Sequence, residues 1–431
     1  MMQRESGAAV SAPRDLRWLF ARTGGGVKLG LERMRNLLAR LGDPQHAVPT
    51  LIVGGTNGKG SVATICAALL ESGGKRVGLF TSPHLCEYEE RIRVSGEPIA
   101  AAEVREFLER FGPDIEATEA TFFEITAALA FATFRSRKVD LAVLEVGLGG
   151  RLDATNVSMP LGAAVTTIEL EHTGILGSRL VDIAGEKYAI ARPGRPLVVG
   201  SVAPEVAEWF TERAARDGVP LTLLDRTWKR SVTRQEPAGL QVDLDGPRGP
   251  LRDQRLALLG SHQADNAALA CALLDRAGLW PGRPAIRRGL AAARIRGRFD
   301  LVQRDPFPVV FDVAHNAPGI AACVQTWKQV WPERRPAVVF SSLRDKDVVK
   351  MAQALAPIAA CVLVPQLETG RARSRADVVA ATATAGIEAK SCSSVSEALD
   401  LALAAAHRGE AGGVLCAGSF HVAGAAYAAW G

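Results

Sequence analysis

The 431-residue chain lacks any C-x-x-C pair. Its seven cysteines, at 66, 86, 271, 323, 361, 392 and 416, are odd in number and irregular in spacing. That argues against a disulfide framework and a cysteine zinc site, and points to a reducing, cytoplasmic setting. No run approaches ~18 uninterrupted apolar residues, so no membrane span is expected. The N-terminus carries Arg4, Glu5, Arg14 and Asp15 and has no apolar core of the kind a secretory signal needs. There is no long basic block either. The formal net charge of +5 is spread along the chain, whereas a nucleic-acid binder concentrates it. Internal repeats are absent.

What remains is an ordinary globular composition, 48% hydrophobic and 23% charged, in a chain too long for one core. Residues 1–14 read as a loose tail. Leu31, Met34, Leu37, Leu38 and Leu41 recur at helical spacing, and Gly42-Asp43-Pro44 stops that helix. From there strands and helices alternate. Strands are predicted at 50–53, 76–80, 139–146 and 162–168, and helices at 62–70, 101–111, 122–134 and 182–191. Alternation of this kind implies a mostly parallel α/β sheet covered on both faces. Residues 225–256, rich in charge, glycine and proline, read as small antiparallel strands, followed by a helix over 262–277. A second α/β series has strands near 309–311, 337–340, 361–364 and 413–416, and plain helices over the alanine-rich 380–389 and 398–406. A domain boundary is expected near 298, dividing 1–298 from 299–431.

Residues 55–61 read GTNGKGS, after a strand and before a helix. Glycines let consecutive N–H groups point at one anion, and the helix N-terminus adds partial positive charge. Lys59 is placed to reach β/γ phosphates and Ser61 to offer a hydroxyl to Mg²⁺. The run departs from the usual phosphate loop, with Val53 where a glycine is expected and Gly60 where Ser or Thr follows the lysine. Glu145 ends a predicted strand and precedes GLGGRLDATN at 147–156. A carboxylate beyond a parallel strand's end suits a Mg²⁺ ligand, or equally a cap on the glycine turn. His172 also follows a strand, where a histidine is more often structural. Lys187 lies in a predicted helix, where a solvated lysine is the ordinary reading.

Taken in order, GTNGKGS (55–61), FTSPHL (80–85), ERIRV (90–94), LEVGLGGRLDATN (144–156), EHTGILG (171–177) and IAGEKYAI (183–190) resemble the folylpolyglutamate synthases. So do GSHQADNA (260–267), RGRFDLV (296–302), FDVAHNA (311–317), DKD (345–347) and GSFHVAG (418–424). These enzymes belong to the Mur ligase superfamily, and GKGS with TSPHL resembles its folate branch. The resemblance implies a phosphate-loop, three-layer ATPase domain with a mostly parallel sheet, plus a smaller Rossmann-like C-terminal domain. It implies ATP and two Mg²⁺ ions as cofactors, with dihydropteroate, folates and L-glutamate as substrates, and a monomer. By match to the family's motifs, Thr56, Asn57, Gly58, Lys59, Gly60 and Ser61 hold phosphates. Ser82 and Glu145 match ligands of one Mg²⁺, and His172 and Glu145 those of the other. Lys187 matches a lysine carrying a carbamate, Asn266 an adenine contact, Arg298 a phosphate contact from the linker and Asp312 a nucleotide contact. Thr121, Phe122, Phe123 and Glu124, with Leu152, Asp153 and Ala154, match the pterin pocket, where Asp153 is expected either to accept hydrogen bonds from ring donors or merely to cap the turn after the strand. Lys59, Lys187, His172 and Arg298 are the expected catalytic set.

Three positions depart from the pattern. Glu171 stands where Asp usually precedes the histidine, Tyr188 where alanine follows the lysine, and Ala317 where proline follows His315-Asn316. Two other readings compete: a cell-wall ligase of the same chemistry, and a nucleotide-binding regulator without catalysis. The pterin-like GGRLDATN and TFFE runs oppose the first. Intact Lys59, Glu145, His172 and Lys187 oppose the second.

Overall fold

The computed structural model describes residues 14–25 and 28–430. The buried apolar runs become strands and pair into three sheets. The first has eight strands: β1 (Thr50–Gly54), β2 (Val77–Phe80), β3 (Ile92–Val94), β4 (Glu97–Pro98), β5 (Leu141–Glu145), β6 (Pro160–Val165), β7 (Leu197–Val199) and β8 (Leu221–Leu223). Their order is β4-β3-β2-β5-β1-β6-β7-β8. β2 and β5–β8 run parallel to β1, while β3 and β4 form an antiparallel edge.

Alternation along β1 divides the core. Ile52 joins one apolar cluster with the helices Glu32–Arg40, Ala101–Ala117 and Phe122–Ser136. Leu51 and Val53 join another with the helices Lys59–Ser72, His262–Arg276 and Arg283–Ala292. Covering both faces is what a parallel sheet of near-continuous hydrophobic strands requires. The second cluster also takes residues from a small antiparallel sheet of β9 (Lys229–Glu236), β10 (Gly239–Gly246) and β11 (Gly249–Leu256).

The third sheet holds β12 (Asp300–Gln303), β13 (Val309–Phe311), β14 (Ala337–Phe340), β15 (Cys361–Pro365), β16 (Ala389–Cys392) and β17 (Val414–Ala417), in the order β12-β13-β17-β14-β15-β16. Only β12 is antiparallel to its neighbour. Its two faces carry separate cores. One of these, built from Val309, Phe311, Val414, Val422 and Tyr427, also packs against Leu85 and Cys86 of the first α/β unit. The contact is close: a Cβ on Gly424, in the helix Phe420–Trp430, would lie 2.5 Å from the Leu85 carbonyl oxygen.

Several local expectations shift. The helix expected to stop at Phe111 continues to Ala117 through Pro113. Gly112 just before it gives up side-chain volume to Arg14, whose guanidinium pairs with Glu116 at 3.2 Å. Arg14 is therefore not tail; residues 1–13 of that expected tail lie outside the described residues. The stretch 380–389 is not plain helix: Arg375–Thr384 is helical, and the chain then turns at Gly386 (φ 72°) into β16. The helix expected over 182–191 spans Leu180–Tyr188, and the 162–168 strand spans Pro160–Val165. No helix among the described residues is long and apolar enough to cross a membrane.

Candidate active site

β1 runs straight into the phosphate loop. Gly55 (φ 136°) and Gly58 (φ 86°) take conformations closed to most side chains, and neither has room for one. A Cβ on Gly55 would strike Thr166, and one on Gly58 would lie 2.7 Å from Asn266 Oδ1. The loop is braced from the β6 side: Thr56 N donates to the Thr167 carbonyl (2.8 Å), and Asn57 Nδ2 donates to Glu169 (2.9 Å). Lys59 Nζ donates to the Thr56 carbonyl at 2.9 Å. The helix Lys59–Ser72 then starts with its free N–H groups toward the cleft.

Glu145, at the end of β5, stands beside that helix start. A Cβ on Gly60 would lie 3.4 Å from both of its carboxylate oxygens. Glu145 is buried, and its Oε2 accepts from the Ser82 N–H at 2.8 Å. Burial pushes its pKa up, against the opposing pull of Lys59, the Ser82 N–H, Arg298 and Arg91. One carboxylate, one nearby serine hydroxyl and space for phosphate oxygens suit a hard divalent cation. Among the described residues no three His, Cys, Asp or Glu side chains converge on one point. A cation here would therefore take most of its ligands from phosphate and water, as Mg²⁺ commonly does. No hydrogen bond or ion pair links His172 to Glu145. His172 sits in a left-handed conformation (φ 51°) opening the short helix Thr173–Leu176, with Nε2 4.0 Å from Glu171.

Lys187 is buried, and its Nζ donates to the Gly55 carbonyl at 2.8 Å. Burial first, and then the charge of Lys59, bring its pKa down to about 7. The expectation of a solvated lysine is corrected by that burial. Tyr188 does not crowd it, because its ring packs away against Trp209 and Phe210.

A cavity of roughly 210 Å³ opens between the two α/β units, lined by Asn57, Ser61, Asn266, Arg298, Asp312 and Asn316 among others. It lies beyond the carboxyl ends of parallel strands, where open α/β sheets bind ligands. Asp312 spends both oxygens on backbone N–H groups, Phe299 (2.7 Å) and Ala314 (2.6 Å), and so braces the linker. Arg298 lines this cavity and also a smaller one beside Glu145 and Ser82. It has no ion pair among the described residues, and its guanidinium carbon lies 5.6 Å from the Phe420 ring centroid.

The expected pterin residues divide. Thr121 and Glu124 cap the helix Phe122–Ser136 reciprocally, and Glu124 also pairs with Arg33 at 3.2 Å. Phe123 packs on Phe80 and Gly147. Phe122 meets Phe20 (5.7 Å, 22° between planes) and Tyr88 in an aromatic cluster that includes His84. Leu152 is half-buried and Ala154 buried. Asp153 follows the turn-cap alternative and not the ring-acceptor one. Its Oδ2 accepts from Gly147 N and Leu148 N (both 2.9 Å), and its Oδ1 from Thr155 N (3.0 Å) and Thr155 Oγ1 (2.6 Å). Four bonds fill a carboxylate's ordinary capacity, so Asp153 ties the 147–155 loop together and has nothing left to offer a ring.

One cluster lies outside the residues expected at the site. Glu171 Oε1 lies 3.2 Å from Lys346 Nζ and 3.4 Å from His315 Nε2, joining the first α/β unit to the second. Burial alone would raise its pKa, but His315, Lys346 and His172 outweigh that and hold it well below the carboxylate range. Asn316 Nδ2 adds a bond to Asn57 Oδ1 at 3.3 Å. The signal was present in EHTGILG, FDVAHNA and DKD; only the pairing across the cleft was invisible.

Known proteins resemble this chain along most of its length. The Mur ligase middle domain matches residues 53–274, and the Mur ligase glutamate ligase domain matches 297–420. The dihydrofolate synthase/folylpolyglutamate synthase of Bacillus subtilis is 36% identical over 384 residues, 85% of this chain and 88% of that one. The chain belongs to this family of Mur ligases. Among solved structures, Escherichia coli FolC in complex with DHPP and ADP superposes with a TM-score of 0.85 at 32% identity, covering 97% of both chains. The bifunctional folylpolyglutamate synthase/dihydrofolate synthase of Yersinia pestis, with Mn, AMPPNP and L-glutamate bound, gives 0.84 at 31% identity, covering 97% of this chain and 98% of that one. The family is one of ATP-dependent ligases, and this chain is such an enzyme, using ATP and a divalent metal.

Proposed function

We propose that the enzyme joins L-glutamate to the carboxylate of dihydropteroate, and extends folates in the same way, through an acyl phosphate. The observation that carries this is the position of Glu145, buried between the phosphate loop and a cleft whose far wall is the second α/β unit. A carboxylate is a poor electrophile for an amine. In this reading the acceptor's oxygen attacks the γ-phosphorus and ADP leaves. The glutamate nitrogen then attacks the carbonyl carbon, loses a proton, and phosphate departs from the tetrahedral adduct.

The chain's part is positioning and charge neutralisation. Backbone N–H groups of Gly58 to Ser61 and the Lys59 ammonium hold the phosphates, the Thr56 and Asn57 N–H groups being spent on Thr167. Arg298 reaches the same phosphates from the linker, and closing of the cleft excludes water that would hydrolyse the acyl phosphate. Glu145, Ser82 and His172 would hold two Mg²⁺ ions, which supply further neutralisation when bound. Lys187, buried and with its pKa near 7, has an amine able to react with CO₂; a carbamate there would turn a cation beside Lys59 into an anion. Phe20 and Phe122 offer flat apolar surface for the acceptor's aromatic body, backed by the buried Tyr88.

Turnover with dihydropteroate and with tetrahydrofolate, read side by side as glutamate-dependent ADP release, tests the reading. Activity on UDP-linked peptidoglycan precursors with neither folate acceptor used would instead establish a cell-wall ligase. ADP release indifferent to every acceptor would establish a regulator.

A further inference from the structure

Arg91 is the only arginine buried among the described residues, at 7% exposure. Its Nε donates to His84 Nδ1 at 2.7 Å. Neither terminal nitrogen bonds another described residue, and no carboxylate among them comes within 4 Å. His84 supplies no countercharge, since an imidazole is neutral or positive and never an anion here. The other buried ions differ. Asp153 and Asp312 accept N–H groups, Glu124 pairs with Arg33, and Lys187 has a carbonyl.

A buried charge without a countercharge is a net cost to folding, so stability does not account for it. Its surroundings point to what does. The guanidinium carbon lies 5.1 Å from the Phe122 ring centroid, at the aromatic cluster, and the Arg91 carbonyl accepts from the Thr81 N–H at 2.9 Å, next to Ser82, whose own N–H bonds Glu145. Arg91 therefore stands between the surface suited to an aryl group and the place where a carboxylate must react.

We propose that Arg91 is the receptor for the acceptor's carboxylate, gripping it through the two terminal nitrogens that bond no other described residue as the aromatic body settles against Phe122. A planar fork matches a carboxylate bidentately, which a lysine cannot reproduce. The inference deepens the acceptor reading above and rests on it. L-Glutamate is the other source of carboxylates, and the test separates the two.

The experiment uses the full chain with Arg91→Met, and with Arg91→Gln should the first not fold. Melting temperature is read with and without dihydropteroate, and KM is measured for dihydropteroate, L-glutamate and ATP. Without ligand, the Met variant is expected to melt at or above the wild-type temperature, because a buried charge with no countercharge among the described residues has gone. It should lose the dihydropteroate-induced shift and raise KM for dihydropteroate about tenfold or more, leaving KM for ATP and glutamate within about twofold. Arg91→Lys should restore only part of the binding. A variant that melts lower yet keeps the wild-type KM overturns the proposal and makes Arg91 structural. A rise confined to the glutamate KM reassigns the carboxylate and overturns it equally. A wild type that neither binds nor uses dihydropteroate sinks the acceptor reading as well.

Discussion

Replacing Glu171 with glutamine should cost turnover without costing nucleotide affinity. The carboxylate sits 3.2 Å from Lys346 and 3.4 Å from His315, with only 16% of its side chain exposed. At an effective dielectric of about 20, one such pair is worth roughly 5 kcal/mol of gross attraction. Desolvation consumes most of that. The net value of charge-assisted hydrogen bonds is about 1.5–3 kcal/mol. His315 Nδ1 already faces the Val313 carbonyl at 3.0 Å, so its Nε2 attracts Glu171 only when the ring carries both protons. Glutamine keeps the size and one acceptor oxygen but loses the charge on which both contacts depend. If closure of the cleft precedes chemistry, kcat falls by about 10- to 100-fold. Aspartate, one methylene shorter, should fall less, because water can bridge the gap. The assay is steady-state turnover, with direct ADP binding as the control that the neighbouring His172 is undisturbed. A glutamine variant with kcat within about twofold of wild type would refute the reasoning.

Glu145→Ala should abolish ligation while leaving a cooperative melt, because it removes a buried carboxylate whose one hydrogen bond to the described residues comes from the Ser82 N–H; near-normal turnover would end its assignment to the cation. Arg298→Ala should lower kcat with little change in melting temperature, since no ion pair among the described residues is lost, and a change limited to acceptor KM would place it elsewhere. Asp153→Ala orphans N–H groups in a buried loop and should destabilise by about 3 kcal/mol. Denaturant titration measures that cost, and kcat/KM should fall equally for dihydropteroate and tetrahydrofolate. Lys187 has a folded pKa of about 7 against an ordinary lysine value of 10.5, so the unfolded chain binds more protons between those values. Stability should climb as pH rises across that window, and the climb should vanish in Lys187→Met. In ¹³C-bicarbonate, a carbamate signal should grow from pH 6 to 8 and be absent from the same variant.

The parts of the fold legible in the sequence were those with one dominant local cause. β1, the phosphate loop and the following helix declare themselves through an apolar run, forced glycines and an abrupt change of period. β7 and β8 did not, because three-residue strands carry too little pattern to stand out. The helix Arg375–Thr384 and β16 merged into one alanine-rich stretch, since alanine suits a helix without demanding one. At the site, the motif positions were readable but not how each side chain is spent. Asp153 looks in sequence like a free acceptor, and only its four hydrogen bonds show that it is committed to its own loop. Arg91 looks like one more strand-edge arginine, and burial beside a neutral histidine marks it out. The Glu171 pairing spans 175 residues to Lys346, a distance over which no local pattern can report.

The close packing of Leu85 and Cys86 against the core of the third sheet bears on how such enzymes can be recombined. The sheets suggest two units separable at the linker. Yet the loop that carries Ser82 belongs to the first unit by sequence and is anchored in the second by its apolar side chains. A chimera cut near residue 298 would bring together a loop and a docking surface drawn from different parents. The heritable module is therefore the C-terminal unit together with residues 82–86, and a productive exchange between relatives must carry both pieces or neither.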